Sequence, residues 1–421
     1  MENTITLTEK QYKGLQACKQ WYESGDKKPF VIMGVAGAGK TVLVRFIVQE
    51  LNLNESNVSY VTFTGKAASV LTSKGNKATT IHKLIYDPIS NEEEKQKAIL
   101  EGKIKPEDIK KNDINFIKKS GLPENLELII VDEFFMVSND IMEDLLSFGI
   151  RIIALGDPCQ LPPPFGNTNN LYKHPDVILD EPLRQSLDNP IIYLANKARN
   201  HERITVGDYG NSVIVTDKSH MLMENFKNAN QIIACKNATV KKLNNFYRKK
   251  ILNINDVIPI KGEKLICLRN NWGLECAEEG QVTNMINGLN CYLESDISIN
   301  ESVQVGACNL RPEFFNDHNF KNILIDLLYF KHNYNKEDEL WDPNNIERYN
   351  YKPNLTKRNI LFEDKSVINK FTYGYTVTCH KMQGSEVKDA YFIFEPLGRN
   401  TYWELLYTGI TRASEKLTLV I

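Results

Sequence analysis

The chain has 421 residues, 42% of them hydrophobic and 25% charged, and a formal net charge of −2. That length exceeds what one compact core usually holds and predicts two to four domains of ordinary soluble composition. The balance of charge argues against a protein that coats nucleic acid by bulk electrostatics, while leaving room for a local basic groove. No apolar run approaches the roughly 18–20 residues that span a bilayer, and Met1-Glu2-Asn3-Thr4 lacks the basic and apolar opening of a secretory signal. The eight cysteines stand singly with no CxxC pair, so they read as reduced cytosolic thiols and not as a zinc site or disulfide framework.

In chain order, the first chemical signal begins at Phe30. Phe30-Val31-Ile32-Met33 predicts a short buried strand, and Val42, Leu43, Phe46, Ile47 and Leu51 recur at helical spacing. Between them stands Gly34-Val35-Ala36-Gly37-Ala38-Gly39-Lys40-Thr41, a GxxxxGKT phosphate loop in the strand–loop–helix context it requires. The glycines let backbone N–H groups close round an anion, and the helix N-terminus points its positive dipole end at the same place. Gly34, Ala36, Gly37, Ala38 and Gly39 would form the cradle for ATP. Lys40 would neutralise the β- and γ-phosphates, and Thr41 would ligate Mg²⁺.

Leu126-Glu127-Leu128-Ile129-Ile130-Val131 predicts a second buried parallel strand, ending in Asp132-Glu133. Acids at the carboxyl edge of such a strand sit where open α/β sheets bind ligands. Asp132 would hold Mg²⁺ through water, and Glu133 would act as general base toward the attacking water. A third strand, Ile150-Arg151-Ile152-Ile153-Ala154-Leu155, runs into Gly156-Asp157-Pro158-Cys159-Gln160-Leu161-Pro162-Pro163, where Gln160 is placed to sense the γ-phosphate. These features together indicate an NTPase.

At this third motif the sequence resembles the superfamily 1 helicases, and later segments extend the likeness in the family's order. Asn3 to Gln11 resembles the N-terminal glutamine motif, Val61 to Ala68 resembles motif Ia, and Thr79-Thr80-Ile81-His82 resembles motif Ib. Leu183-Arg184-Gln185 is similar to the arginine-bearing end of the first lobe, and Asn237 to the strand-end residue of motif IV. Tyr375-Thr376-Val377-Thr378-Cys379-His380-Lys381-Met382-Gln383-Gly384-Ser385-Glu386 resembles motif V of the 1B branch, and Tyr407-Thr408-Gly409-Ile410-Thr411-Arg412-Ala413 resembles motif VI. The nearest likeness is to the phage-type Dda helicases and their RecD-like relatives.

The resemblance implies two tandem RecA-like lobes of the α/β class with one inserted subdomain in each. The first lobe is expected over 1–85 and 125–185, with a pin-type insertion over 86–124. The second is expected over 186–284 and 366–421, with an SH3-like insertion over 285–365. It also implies that Gln11 reads adenine, that Gly384 and Glu386 help bind nucleotide, and that Arg412 and Arg184 approach the γ-phosphate. A guanidinium placed there contributes about 10³–10⁵ in rate.

Thr62, Phe63, Thr64, His82, Pro163, Asn237, His380 and Lys381 are the implied contacts to a single strand, mostly to phosphates and without sequence reading. Phe63 fits a stacking face, worth about 1–3 kcal/mol per base, and core packing equally well. The charged composition of Asn91 to Glu124 reads as helical, unlike the hairpin pin of the family, with Phe116 as one wedge candidate. The aromatics of 285–365 suit a small β core better than base stacking. Phe134-Phe135 and Glu279-Gly280 depart from the family's usual residues.

The implied activity is an ATP-dependent DNA helicase of replication, recombination or repair, moving 5′→3′ on single-stranded and fork DNA. It would be monomeric, off the membrane and in the cytoplasm, a host's if phage-encoded, with replication or single-strand-binding proteins as partners. A translocase that strips proteins without unwinding is the alternative, and a P-loop kinase a remote one.

Overall fold

The computed structural model describes residues 6–73, 75–89, 115–162, 169–183, 188–278, 281–333, 368–398 and 401–421. Its first sheet has six strands in the order Ala78–Thr80, Val58–Thr62, Leu128–Asp132, Arg151–Gly156, Phe30–Gly34 and Val177–Leu179, all parallel. The central strands are apolar on both faces because helices cover both. Leu128 to Val131 and Ile152 to Gly156 are buried without interruption. Register then fixes the carboxyl edge: Thr80, Thr62 and Asp132 share one row, and Met33 pairs with Gly156.

The second sheet repeats the plan. Thr376–Thr378, Gln231–Ala234, Val387–Ile393, Ala413–Val420 and Val213–Thr216 run parallel, and Gly207–Asp208 adds an antiparallel edge. Helices Pro190–Arg199 and Tyr402–Ile410 share one core with this sheet, built on Leu194, Ala198, Phe392, Leu405 and Ile410. These are the two RecA-like lobes.

The second insertion is wider than 285–365. Lys264–Cys267 and Phe371–Tyr373, on either side of that interval, pair antiparallel with each other, and Lys264–Cys267 pairs onward with Asn290–Leu293. Val305–Pro312 joins Asn290–Leu293 to Phe320–Asp326, and an Ile325–Asn369 bridge brings the last strand back beside Phe371–Tyr373. Phe315, Phe320, Phe330, Phe371 and Tyr373 fill the core of this small barrel. A ring must close on itself to satisfy its edge strands, so the chain enters it before the expected boundary. Tyr334, Trp341, Tyr349 and Tyr351 lie outside the described residues.

The first insertion also departs from expectation. Tyr86–Ile89 pairs antiparallel with Asn115–Lys118, so the excursion leaves and returns as a β-ribbon, not as a helix. Its charged middle, which suggested a helix, lies outside the described residues. A second ribbon, Asn271–Glu278 with Gln281–Met285, reaches from the barrel to the first-lobe helix Gly65–Ser73.

Candidate active site

The phosphate loop joins Phe30–Gly34 to the helix Lys40–Glu50. Gly37 and Gly39 adopt φ of 74° and 77°, a left-handed backbone that side chains rarely take. Lys40 Nζ donates to the Gly34 carbonyl at 2.7 Å, and the Thr41 side chain is exposed at the helix start. Helix Glu9–Ser24 braces the loop from behind. Thr8 and Gln11 form its capping box. Gln11, 2% exposed, accepts the Thr8 N–H at 2.9 Å and donates to the Ala38 carbonyl at 3.1 Å. One residue therefore caps a helix and holds the loop.

Asp132 closes its strand, and Glu133 follows in a left-handed conformation at φ 54° that a side chain rarely takes. Desolvation pushes the Glu133 pKa up to about 7 and Asp132 adds to the rise, while Arg412 and Lys40 pull it down. A carboxylate raised toward neutrality is suited to general-base work at physiological pH. Gln160 Nε2 donates to Glu133 Oε1 at 3.3 Å. Phe134 and Phe135, the bulky pair after the acids, are buried with rings 4.5 Å apart. Gly156 makes room for them, because a Cβ there would overlap both rings.

Thr41 and Asp132 offer one hydroxyl and one carboxylate to Mg²⁺. That sparse donor set fits an ion whose other ligands are phosphate and water. The mutual repulsion of Asp132 and Glu133 is a second reason for a cation there.

Arg412, 4% exposed, comes from the second lobe. It donates to the carbonyls of Thr408 at 3.0 Å, Met382 at 3.3 Å and Ser385 at 3.0 Å, and to Thr411 Oγ1 at 3.1 Å. Its guanidinium is thus oriented by motif V and by the end of the helix Tyr402–Ile410 that precedes it, and its charge reaches Glu133 across the seam. Gly384, at φ 70°, packs against the first-lobe helix so closely that a Cβ would strike Ala67. Glu386, two residues on, is exposed. Arg184 and Pro163 lie outside the described residues.

The other expected strand contacts divide. Thr62 is fully buried and its hydroxyl donates to the Thr64 carbonyl at 2.7 Å, so it shapes the turn and offers nothing outward, contrary to expectation. Thr64 Oγ1 accepts the Ala67 N–H at 3.3 Å at the head of the helix Gly65–Ser73. Phe63 is half-buried with its ring 5.9 Å from His82, and His82 also meets Tyr86 at 5.5 Å and Phe116 at 5.8 Å. An aromatic cluster therefore joins motif Ib to the root of the first insertion. His380 and Lys381 sit half-buried on the turn His380–Met382, and Asn237 is exposed at a helix start. Desolvation lowers the pKa of both His82 and His380, favouring neutral rings.

Two features escaped the sequence reading. A cavity of about 460 Å³ opens between the helix Gly65–Ser73 and the barrel ribbon, lined by Ser69, Thr72, Lys77, Lys83, Thr283 and Asn284 among others. Lys83 Nζ donates to Asn284 Oδ1 at 3.0 Å and closes one side of it. Lys66, 4% exposed, contacts Met382 Sδ at 3.5 Å, and desolvation lowers its pKa to about 8. Neither residue pair is adjacent in sequence, and no spacing pattern could have joined them.

Residues 20–166 match the AAA domain family, and residues 373–420 match the UvrD-like helicase C-terminal domain family. An uncharacterized protein of Acanthamoeba polyphaga mimivirus is 24% identical, the match covering 94% of this chain and 95% of that one. Two Pif1 helicases coordinating at forked double-stranded DNA share the fold with TM-score 0.55 and 16% identity, over 99% of this chain and 92% of the other. A Bacteroides Pif1 helicase in complex with ADP-AlF3 and single-stranded DNA matches over the same shares, with TM-score 0.52 and 16% identity. The AAA domain match thus falls on the first lobe and the UvrD-like helicase C-terminal match on the second, so the chain is similar to the superfamily 1 helicases in both of its RecA-like lobes.

Proposed function

We propose that this protein is an ATP-dependent DNA helicase that draws itself along one strand, in the 5′→3′ sense, and opens duplex ahead of it. The reading is carried by one observation: Glu133, beside the phosphate loop, lies within the fields of Lys40 from its own lobe and of Arg412 from the second. Phosphoryl transfer spreads negative charge over the terminal phosphate oxygens, and catalysis is mostly positioning and electrostatic stabilisation. Splitting the two cations between lobes ties that stabilisation to lobe closure.

In this account Lys40 and the loop N–H groups hold the phosphates, with Gln11 fixing the loop. Thr41 and Asp132 would hold Mg²⁺, which supplies charge neutralisation between phosphates. Glu133 takes the proton of the attacking water, Gln160 orients Glu133, and Arg412 faces the developing charge. The strand would run past Phe63, Thr64, His82, His380, Lys381 and Asn237. The near packing of motif V on the helix Gly65–Ser73 supports a path over both lobes, because Gly384 touches Ala67 and Met382 touches Lys66. The Pif1 structures of the same fold are described with single-stranded and forked DNA, which supports the same substrate class here.

Steady-state ATPase activity with and without single-stranded DNA or RNA, followed by unwinding of a fork with a 5′ overhang, tests the proposal. Stimulation by DNA and strand separation are expected. Stimulated hydrolysis that leaves the fork intact would favour a protein-stripping translocase, and no stimulation would end the motor reading.

A further inference from the structure

The seam between the lobes contains a hydrogen-bond chain joining the third motif to motifs V and VI, in which Tyr407 and Asp157 carry no role so far. Tyr407 lies on the second-lobe helix Tyr402–Ile410 and is 1% exposed. Its phenol oxygen accepts the Ala36 N–H of the phosphate loop at 2.7 Å, and its O–H donates to Asp157 Oδ2 at 2.7 Å. Asp157 is fully buried at the head of the turn that carries Gln160. Its Oδ1 accepts the Cys159 N–H at 3.0 Å, and its carbonyl accepts the Gln160 N–H at 3.2 Å. The far end of the turn is held from the same lobe: Thr408 Oγ1 accepts the Leu161 N–H at 3.0 Å, and Gln383 Nε2 donates to the Leu161 carbonyl at 2.9 Å.

We propose that Tyr407 is a positioning residue for ATP hydrolysis. By linking Ala36 to Asp157 it makes the placement of Gln160, and through it Glu133, conditional on the second lobe being seated. The inference rests on the helicase reading and adds a specific route by which closure reaches the general base.

The chemistry supports a role beyond packing. Leu405, Leu406 and Ile410 on the same helix are apolar and buried, and phenylalanine would fill the ring's volume equally well. The hydroxyl is what crosses the seam, with one hydrogen bond accepted and one donated. A buried carboxylate needs donors, and Asp157 draws one from each lobe, Cys159 and Tyr407. Desolvation and the Asp157 charge hold the Tyr407 pKa well above its ordinary value, so the phenol remains a donor throughout the working pH range. When the lobes part, Asp157 loses that donor and the turn loses both of its outer clamps. Gln160 is then free to drift from Glu133, which it contacts at 3.3 Å.

The test uses the full chain with Tyr407→Phe, Asp157→Asn and the double variant. ATP turnover is measured with and without single-stranded DNA. DNA-stimulated kcat should fall about 10- to 100-fold in each single variant, with KM for ATP within about 3-fold, because the lost bonds orient catalytic groups more than they bind substrate. In the double variant the second change should cost less than about 3-fold more, because both break one linkage. A Tyr407→Phe kcat within about 2-fold of wild type overturns the proposal, as do losses that multiply in the double variant. Asp157→Asn is the independent arm should the phenylalanine disturb the seam, and an unaffected kcat there overturns it equally. A wild-type chain without DNA stimulation would instead remove the helicase reading itself.

Discussion

The two six-stranded sheets are built alike, yet their polar groups serve different ends. In the first lobe the proposed chemistry lies along the carboxyl edge: Lys40 after one strand, Asp132 at the end of another with Glu133 following it, Asp157 and Gln160 after a third. The second lobe has no phosphate loop. Its helix Tyr402–Ile410, the residue Arg412 just past that helix, and the motif V turn present Tyr407, Thr408, Arg412 and Gln383 toward that edge, three of them through direct hydrogen bonds. Arg412 is held by its own lobe, so its place over the site depends on where the lobe sits. On the proposed reading, one sheet holds the reactants and its copy supplies conditions under which they react.

If that division is right, substitutions should separate binding from turnover by lobe. The largest effect is expected from Lys40→Ala, which should reduce ATP turnover about 10³-fold or more while the chain stays folded; turnover at the wild-type level would break the first-lobe assignment. Glu133→Gln follows, with about a 10²- to 10⁴-fold loss in kcat and nucleotide affinity kept. In wild type, kcat/KM for ATP should climb with pH above the ordinary carboxylate range, because burial and Asp132 raise the Glu133 pKa in the free protein, and that limb should be absent from the glutamine variant.

The same residue sharpens the point through stability. Folding lifts its pKa from 4.5 to about 7, so the folded chain holds this proton more tightly than the unfolded one. Ionisation therefore costs stability as pH rises from about 4.5, with the full cost present above about 7. Thermal melts should place Glu133→Gln a few degrees above wild type at pH 8 and level with it near pH 4.5; a lower melting point at pH 8 would contradict the desolvated carboxylate.

A smaller effect is expected at the contact between lobes. Gly384→Ala adds a Cβ at positive φ against Ala67, so DNA-stimulated turnover should drop about 10-fold, with the DNA-free rate changed less. Equal losses in both rates would mean that the contact is not made on closure. The smallest change is predicted for Phe116→Ala at the insertion root: fork unwinding slows about 2- to 5-fold while ATP turnover is kept, and parallel losses would place the ring in the first-lobe core.

Much of this was legible in the sequence, for physical reasons. Parallel strands buried on both faces must be apolar throughout, so Phe30–Met33, Leu128–Val131 and Ile152–Leu155 declared themselves, and the residues after them sit at the binding edge by topology. The insertions were less legible. Tyr86–Ile89 and Asn115–Lys118 are short strands flanking a highly charged stretch, and composition follows the stretch. Lys264–Cys267 lies among residues that continue the second lobe in sequence, and only its pairing with Phe371–Tyr373 places it in the barrel. Tyr407 reads as core because its neighbours are core; a hydroxyl that leaves the core at its far end has no periodic signature.

Single-turnover hydrolysis by Arg412→Ala, measured beside its ATP affinity with and without single-stranded DNA, tests the central claim most directly. The division between lobes predicts affinity within a few-fold of wild type and DNA-stimulated hydrolysis lowered about 10³-fold or more. Undiminished stimulated hydrolysis would show that the second lobe supplies no charge to the reaction.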